Sequence, residues 1–268
     1  MNGHISIQGA CAMNWLEVSD ELVKMLRLKT DPLAFKRFEK LEDLEQIKNV
    51  YHIPTFSTFC QAIFRARVQG LTIGITRQDN MNHRCLRLHG VKHAHEKSMK
   101  DEAAMLSKTW FASPEEALEQ QMETPRVPVA EAVALAPLAK GKFEPDVVLL
   151  YGNPAQLMML LCGLQKEKYE RFQFFFIGEG ACADSLGEFY RTNKPQLSIP
   201  CYGERSMGQV SDDEISLALP PGEIPRAISG MKRLAKIGFK YPINYIGAQA
   251  DLEPILAQVY PIPKTKNP

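Results

Sequence analysis

A chain of 268 residues with 45% apolar and 24% charged residues is long enough to bury a substantial core, and its composition is that of an ordinary globular protein. A formal net charge of +1 supplies no bulk attraction to nucleic acid, and no apolar run approaches the ~18 residues of a membrane-crossing helix. The first dozen residues lack a basic region followed by an apolar core, so the expected location is cytoplasmic, and the six cysteines are expected to be reduced: structural, metal-binding or reactive.

Residues 1–14 carry no pattern, and Cys11 among them reads as an incidental thiol. Trp15, Leu16, Val18, Leu22, Val23, Met25 and Leu26 follow a helical period over 15–28, which Thr30-Asp31-Pro32 stops. Residues 33–38 alternate as a strand, and the acidic stretch 41–50 suggests a short helix. Ser57 or Thr58 caps a helix over 59–69 that holds Cys60 in its first turn. There the exposed backbone N–H groups and the helix dipole favour a thiolate, and Arg65 and Arg67 add positive charge. A strand over 71–76 and a helix around 81–88 containing Cys85 come next. His83, His89, His93 and His95 flank that cysteine. His89 and His93 are four apart, yet Gly90 lies between them and no glutamate adjoins His89 as in the helical zinc-protease motif; a solvated polar segment is the favoured reading.

A polar helix is expected over 97–108, and Ser113-Pro114-Glu115-Glu116 opens another that runs to Met122. Residues 124–128 read as extended, and 129–138 as a strand or a connector. A strand over 147–151 is broken by Gly152; Asn153 caps and Pro154 begins a helix through 156–164, where Cys162, Met158 and Met159 read as packing. With a further strand after it, this is a βαβ signature. That strand is placed at 174–177, where Phe174-Phe175-Phe176-Ile177 reads as buried and stops at Gly178-Glu179-Gly180. Cys182 stands near a helix start, a strand covers 197–199, and Cys201 and Gly203 lie beyond it. A strand over 215–219, a proline-rich turn, a helix over 226–237 and a last helix over 251–259 complete the chain.

The expected fold is α/β, with α+β left open: a compact mixed sheet flanked by helices, one domain over 15–260 between loose termini at 1–14 and 261–268. An internal repeat is weighed beside it, with halves at about 15–110 and 140–240. The stretch from Cys60 to Cys85 parallels that from Cys182 to Cys201: a cysteine at a helix start, a helix, a strand, and a second cysteine with glycine downstream. Residues 33–38 match 147–151 in front of them.

The motifs T-D-P-L-A-F-K (30–36), T-F-C-Q-A (58–62), the Cys85 segment, P-D-V-V-L-L-Y-G-N-P-A-Q (145–156), G-E-G-A-C-A-D (178–184) and I-P-C-Y-G-E-R (199–205) occur in an order that resembles the domain of unknown function 169 family, over about 16–260. The resemblance implies a soluble prokaryotic α/β protein with recurrent cysteines and no settled activity. Cys60, Cys85, Cys182 and Cys201 match the family's motifs. It supplies no mechanism.

Two functional readings are carried forward. In the first, Cys60, Cys85, Cys182 and Cys201 ligate an iron–sulfur cluster, or alternatively zinc, in a cofactor-associated or redox protein. Gly178, Gly180 and Gly203 would allow close backbone approach to that cofactor, although no C-x-x-C spacing supports it. In the second, a metal-free small-molecule-binding protein or cysteine-dependent enzyme has its cleft between the halves. Asn153 and its helix start would meet an anionic group there, with Glu179, Asp184, Glu204 and Arg205 as polar contacts; the last two read equally well as a surface pair. Against both stands plain packing, since free cysteines are often small buried hydrophobes. The expected partners are a small-molecule ligand or a redox partner protein, without nucleic acid or membrane, and a homo-oligomer stays open.

Overall fold

The structure is a computed structural model that describes residues 13–248, 251, 252 and 254. Cys11 lies outside the described residues, as does most of the helix expected over 251–259. In chain order the first part comprises α1 (Trp15–Leu26), β1 (Leu33–Phe38), α2 (Leu41–Glu45), β2 (Val50–Tyr51), α3 (Phe59–Arg67), β3 (Thr72–Thr76), α4 (His83–Leu88), α5 (Glu96–Leu106), α6 (Pro114–Glu123) and β4 (Ala132–Pro137). The second comprises β5 (Val147–Gly152), α7 (Pro154–Glu167), α8 (Cys182–Thr192), β6 (Gln196–Ser198), α9 (Tyr202–Ser206), β7 (Ile215–Leu219) and α10 (Ile224–Lys236). Among the described residues no helix is long and apolar enough to cross a membrane.

The seven strands form one mixed sheet in the order β2-β3-β4-β1-β5-β7-β6, in keeping with the α/β class. Helices cover both faces. Phe59, Ile63, Leu186 and Phe189 of α3 and α8 pack on one face against Phe35, Leu135 and Leu149. α1, α7 and α10 bury the other through Leu22, Leu160 and Ile228 against Val148, Leu150 and Leu219. Strands enclosed in this way read as continuous apolar runs. That is why β4, with the sequence A-V-A-L-A-P and every residue buried, is a central strand rather than a connector.

The βαβ reading is overturned. β5 pairs antiparallel with both β1 and β7, and among the described strands only β2 and β3 are paired in parallel. The strand expected at 174–177 is absent: that segment is irregular, with Phe175 57% and Phe176 69% exposed. Its aromatic run does not pair with β6, which is the edge strand of the sheet. The Ile177 N–H instead donates to the Asp184 carboxylate at 2.8 Å.

The strands outside β2 fall into two sets of three with the same order, β1-β4-β3 and β5-β7-β6, joined where β1 meets β5. The registers agree as well. Ala34 pairs with Ala136 while the adjacent Leu135 pairs with Ile73. In the second set Val148 pairs with Leu219 while the adjacent Ala218 pairs with Gln196. α3 and α8, each entered through a cysteine-bearing first turn, lie on the same face. The sets differ downstream of the second cysteine. Residues 89–131, including α5 and α6, separate α4 from β4, whereas only 207–214 separate α9 from β7.

Candidate four-thiol site

Four helix starts converge on one cavity, and each brings a cysteine. At α3, Thr58 and Gln61 form a reciprocal cap, with Gln61 N–H donating to Thr58 Oγ1 at 3.3 Å and Thr58 N–H to Gln61 Oε1 at 2.9 Å; this places Cys60 in the first turn. At α4, Asn82 Oδ1 accepts from the N–H groups of Arg84 (2.9 Å) and Cys85 (3.4 Å). Cys182 is the first residue of α8, with Sγ 3.8 Å from Gly180 O. Cys201 is itself the cap of α9: its sulfur accepts the Glu204 N–H, and Glu204 Oε2 accepts the Cys201 N–H at 3.4 Å.

Cys60, Cys85, Cys182 and Cys201 thus line a single cavity of about 500 Å³, together with Gly180 and Gly203. Cys60 and Cys182 are buried; Cys85 and Cys201 are half-buried. A Cβ added at Gly203 would lie 3.7 Å from both the Cys201 and the Cys60 sulfurs, so glycine there keeps room between them. Among the described residues no three His, Cys, Asp or Glu side chains are placed to hold one metal ion.

Burial pushes the Cys60 and Cys182 thiols well up, and in each the Glu204 carboxylate and the neighbouring thiols push further. Cys85 is also raised by burial, against a hydrogen bond from the Phe59 backbone and the charge of Arg84. Helix starts favour thiolates, so local geometry and burial oppose each other. A bound cationic centre would resolve the opposition by neutralising the thiolates together.

One wall of the cavity is built by the segment between α4 and β4. α5 contributes Ser98, Asp101, Glu102, Met105 and Leu106 to the cavity. Arg84, 8% exposed, joins this wall to the second half: its guanidinium pairs with the carboxylates of Glu179 and Glu102, the latter at 3.4 Å from Nε. Glu102 also pairs with Arg87. Below the thiols Glu204 is buried and accepts a hydrogen bond from Tyr151 Oη at 2.9 Å; burial raises its pKa, against that hydrogen bond. Glu204 is therefore no surface partner of Arg205, which instead donates to Ser211 O at 2.6 Å.

Other expected site residues are placed differently. Gly178 is outside the cavity lining and follows no strand, although it and Gly180 have φ of +81° and +84° and flank Glu179. Asn153 Oδ1 is occupied by the Gln156 N–H at 2.9 Å, and its Nδ2 donates to Tyr241 Oη at 3.1 Å; this helix start is capped rather than open to an anion. Cys162 is half-buried on α7, away from the cavity. The histidines do not form one solvated segment. His83 lines the cavity, while His89 is buried, stacks on Phe59 with ring centroids 3.4 Å apart, and has its pKa lowered by burial to about 3. Arg84, Arg87, Glu102 and Tyr151 escape a reading of the sequence. The one signal for them is the Arg84-Cys85 adjacency, which places a cation beside a candidate ligand.

Asp184, in the first turn of α8, is buried and its pKa is raised to about 6 by that burial, against the Ile177 N–H. An acid with a raised folded pKa binds more protons folded than unfolded, so its contribution to stability declines as pH rises from about 4 to about 6 and then levels. Asp184→Asn retains an acceptor for Ile177 and should gain about 1–2 kcal/mol relative to the parent across that window, after allowance for solvent screening. Urea unfolding of both proteins between pH 4 and 7.5 tests this; parallel profiles would refute it.

The family model for the domain of unknown function 169, described as an uncharacterised ArCR family, matches residues 21–230. An uncharacterized protein of Methanocaldococcus jannaschii is 26% identical over 107 residues, covering 40% of this chain and 46% of that relative. The aligned part thus spans less than half of the relative's length. No solved structure matches.

Proposed function

This chain belongs to the domain of unknown function 169 family, and we propose that Cys60, Cys85, Cys182 and Cys201 hold an iron–sulfur centre in a cofactor-associated or redox protein. The observation that carries the proposal is the meeting of four thiols in one cavity, two from each set of strands, each at a helix start. A single zinc ion draws its four ligands to one point, which is not how these side chains stand. A polynuclear cluster spreads its thiolates over several metal atoms and does not need them to meet at one ion. Once bound, such a centre supplies one-electron chemistry. The chain's own part is to exclude water with the apolar cavity wall, and to offer the N–H groups around Gly180 and Gly203 to the centre.

The size of the cavity favours a second reading, a metal-free ligand-binding protein or cysteine-dependent enzyme. About 500 Å³ is within the range of small-molecule sites, and His83 shares the lining with the thiols. Iron and acid-labile sulfide analysis with a visible spectrum, on protein purified without oxygen, separates the two. Near-stoichiometric iron and sulfide are expected. Zinc without sulfide would replace the cluster by a zinc site, and metal-free protein would leave the second reading.

A further inference from the structure

Beside the thiols the same cavity has a charged side with a chemistry of its own. Arg84 is buried in the first half and reaches Glu179 in the second, pairing with its carboxylate. The backbone and the side chain of Glu179 are held separately. Its carbonyl accepts from Gln120 Nε2 at 2.7 Å and from Arg84 Nη2 at 3.4 Å, whereas its side chain is 25% exposed and its carboxylate, with the pairing oxygen buried, has Arg84 as its cation. Gly178 and Gly180, both at positive φ, bracket it. A Cβ at Gly178 would meet nothing closer than Phe176 at 3.8 Å, so the turn has space around it. Glu102 is fixed differently, shared between Arg84 and Arg87.

We propose that Arg84 is the anchor of a binding subsite for a small monocarboxylate, and that Glu179 is an internal carboxylate that occupies the anchor until a ligand replaces it. Charge dictates the class. The four groups Arg84, Arg87, Glu102 and Glu179 balance, and exchanging one carboxylate for another leaves the buried guanidinium paired. A dianion would leave excess negative charge beside Glu102, and a neutral amide would leave Arg84 short of a partner. Leu88, Met105, Leu106 and Met207 supply an apolar wall for the body of the ligand. This subsite goes beyond the iron–sulfur reading and does not rest on it, since its binding partner is a guanidinium rather than a metal.

The test is calorimetric titration of the full chain with isovalerate, isovaleramide and ethyl phosphate. An internal competitor that fills the anchor most of the time weakens the apparent affinity by the fraction left free. Glu179→Ala should therefore bind isovalerate about tenfold or more tightly than the parent, and isovalerate should raise its melting temperature more than the parent's. Isovaleramide and ethyl phosphate should bind far more weakly to both. Absence of isovalerate binding to both proteins, equal affinity in both, or equal binding of the amide or the phosphate overturns the proposal. Each readout is independent of metal content, so its failure leaves the iron–sulfur reading standing, and the converse holds.

Discussion

Cys182→Ala is expected to purify as a folded chain without its iron and sulfide, a loss from near-stoichiometric content to background. Cys182 is the first residue of α8, where alanine serves a helix well, and the side chain is small, so the fold should bear the change. The thiol is at the buried end of the cavity and is electrostatically coupled to Cys60, Cys85 and Cys201. Removing it should therefore open the most enclosed ligand position of the proposed centre. Cys201→Ala should show the same loss at the partly exposed end, while Cys162→Ala, on the half-buried surface of α7, should keep full content. Iron and sulfide assays, with circular dichroism as the folding control, decide the matter. Full retention in both Cys182→Ala and Cys201→Ala would remove these residues as ligands and with them the proposal.

What can be read from the sequence divides along a physical line. Local signals are reliable: the Thr58 and Asn153 caps, Ser113-Pro114 at the start of α6, and the strand β1 all reside where turn and capping chemistry places them. Their energies come from neighbouring residues. Pairing partners are not legible, because a run such as 174–177 has the same composition whether it joins a sheet or lies at the surface. The strand β4 is harder to see than the absent one, since alanine has little strand preference of its own and central burial makes the difference. Cys60 and Cys182 stand out in the sequence because each sits near an expected helix start, whereas Cys85 reads as inside a helix and Cys201 as following a strand; that all four are at helix starts is seen only in the structure. That they share one cavity depends on long-range pairings, which also join β1 to β5 and bring Arg84 to Glu179. Glu204 and Arg205, adjacent in sequence, read naturally as surface partners; the helical turn instead sends one inward to Tyr151 and the other to Ser211.

Beneath the thiols a buried ion pair gives the largest expected effect on stability. Arg67, at the end of α3, pairs with Glu214 at 2.6 Å, with side chains 4% and 1% exposed. Glu214 also accepts from Ser211 N–H at 3.0 Å, and the Arg67 guanidinium lies over the Tyr151 ring, 4.6 Å from its centroid. Tyr151 in turn holds Glu204, whose other oxygen accepts from Cys201 N–H. Glu214→Ala would leave a buried guanidinium without its carboxylate, and Nε and Nη1 of Arg67 already lack hydrogen-bond partners. The expected cost is about 3–5 kcal/mol, read as a lower urea midpoint with an unchanged slope. Arg67→Met with Glu214→Leu removes both charges and fills the space with apolar atoms, so most of that loss should be recovered. A cost below about 1 kcal/mol for Glu214→Ala, or a double variant as unstable as the sum of its single changes, would show that the pair is not coupled as described. Recovery would mean that the sheet and helices can be held together without these charges. The pair's remaining role would then be positional: a polar column that runs from α3 of one half, through Tyr151 and Glu204 of the other, to the backbone of Cys201.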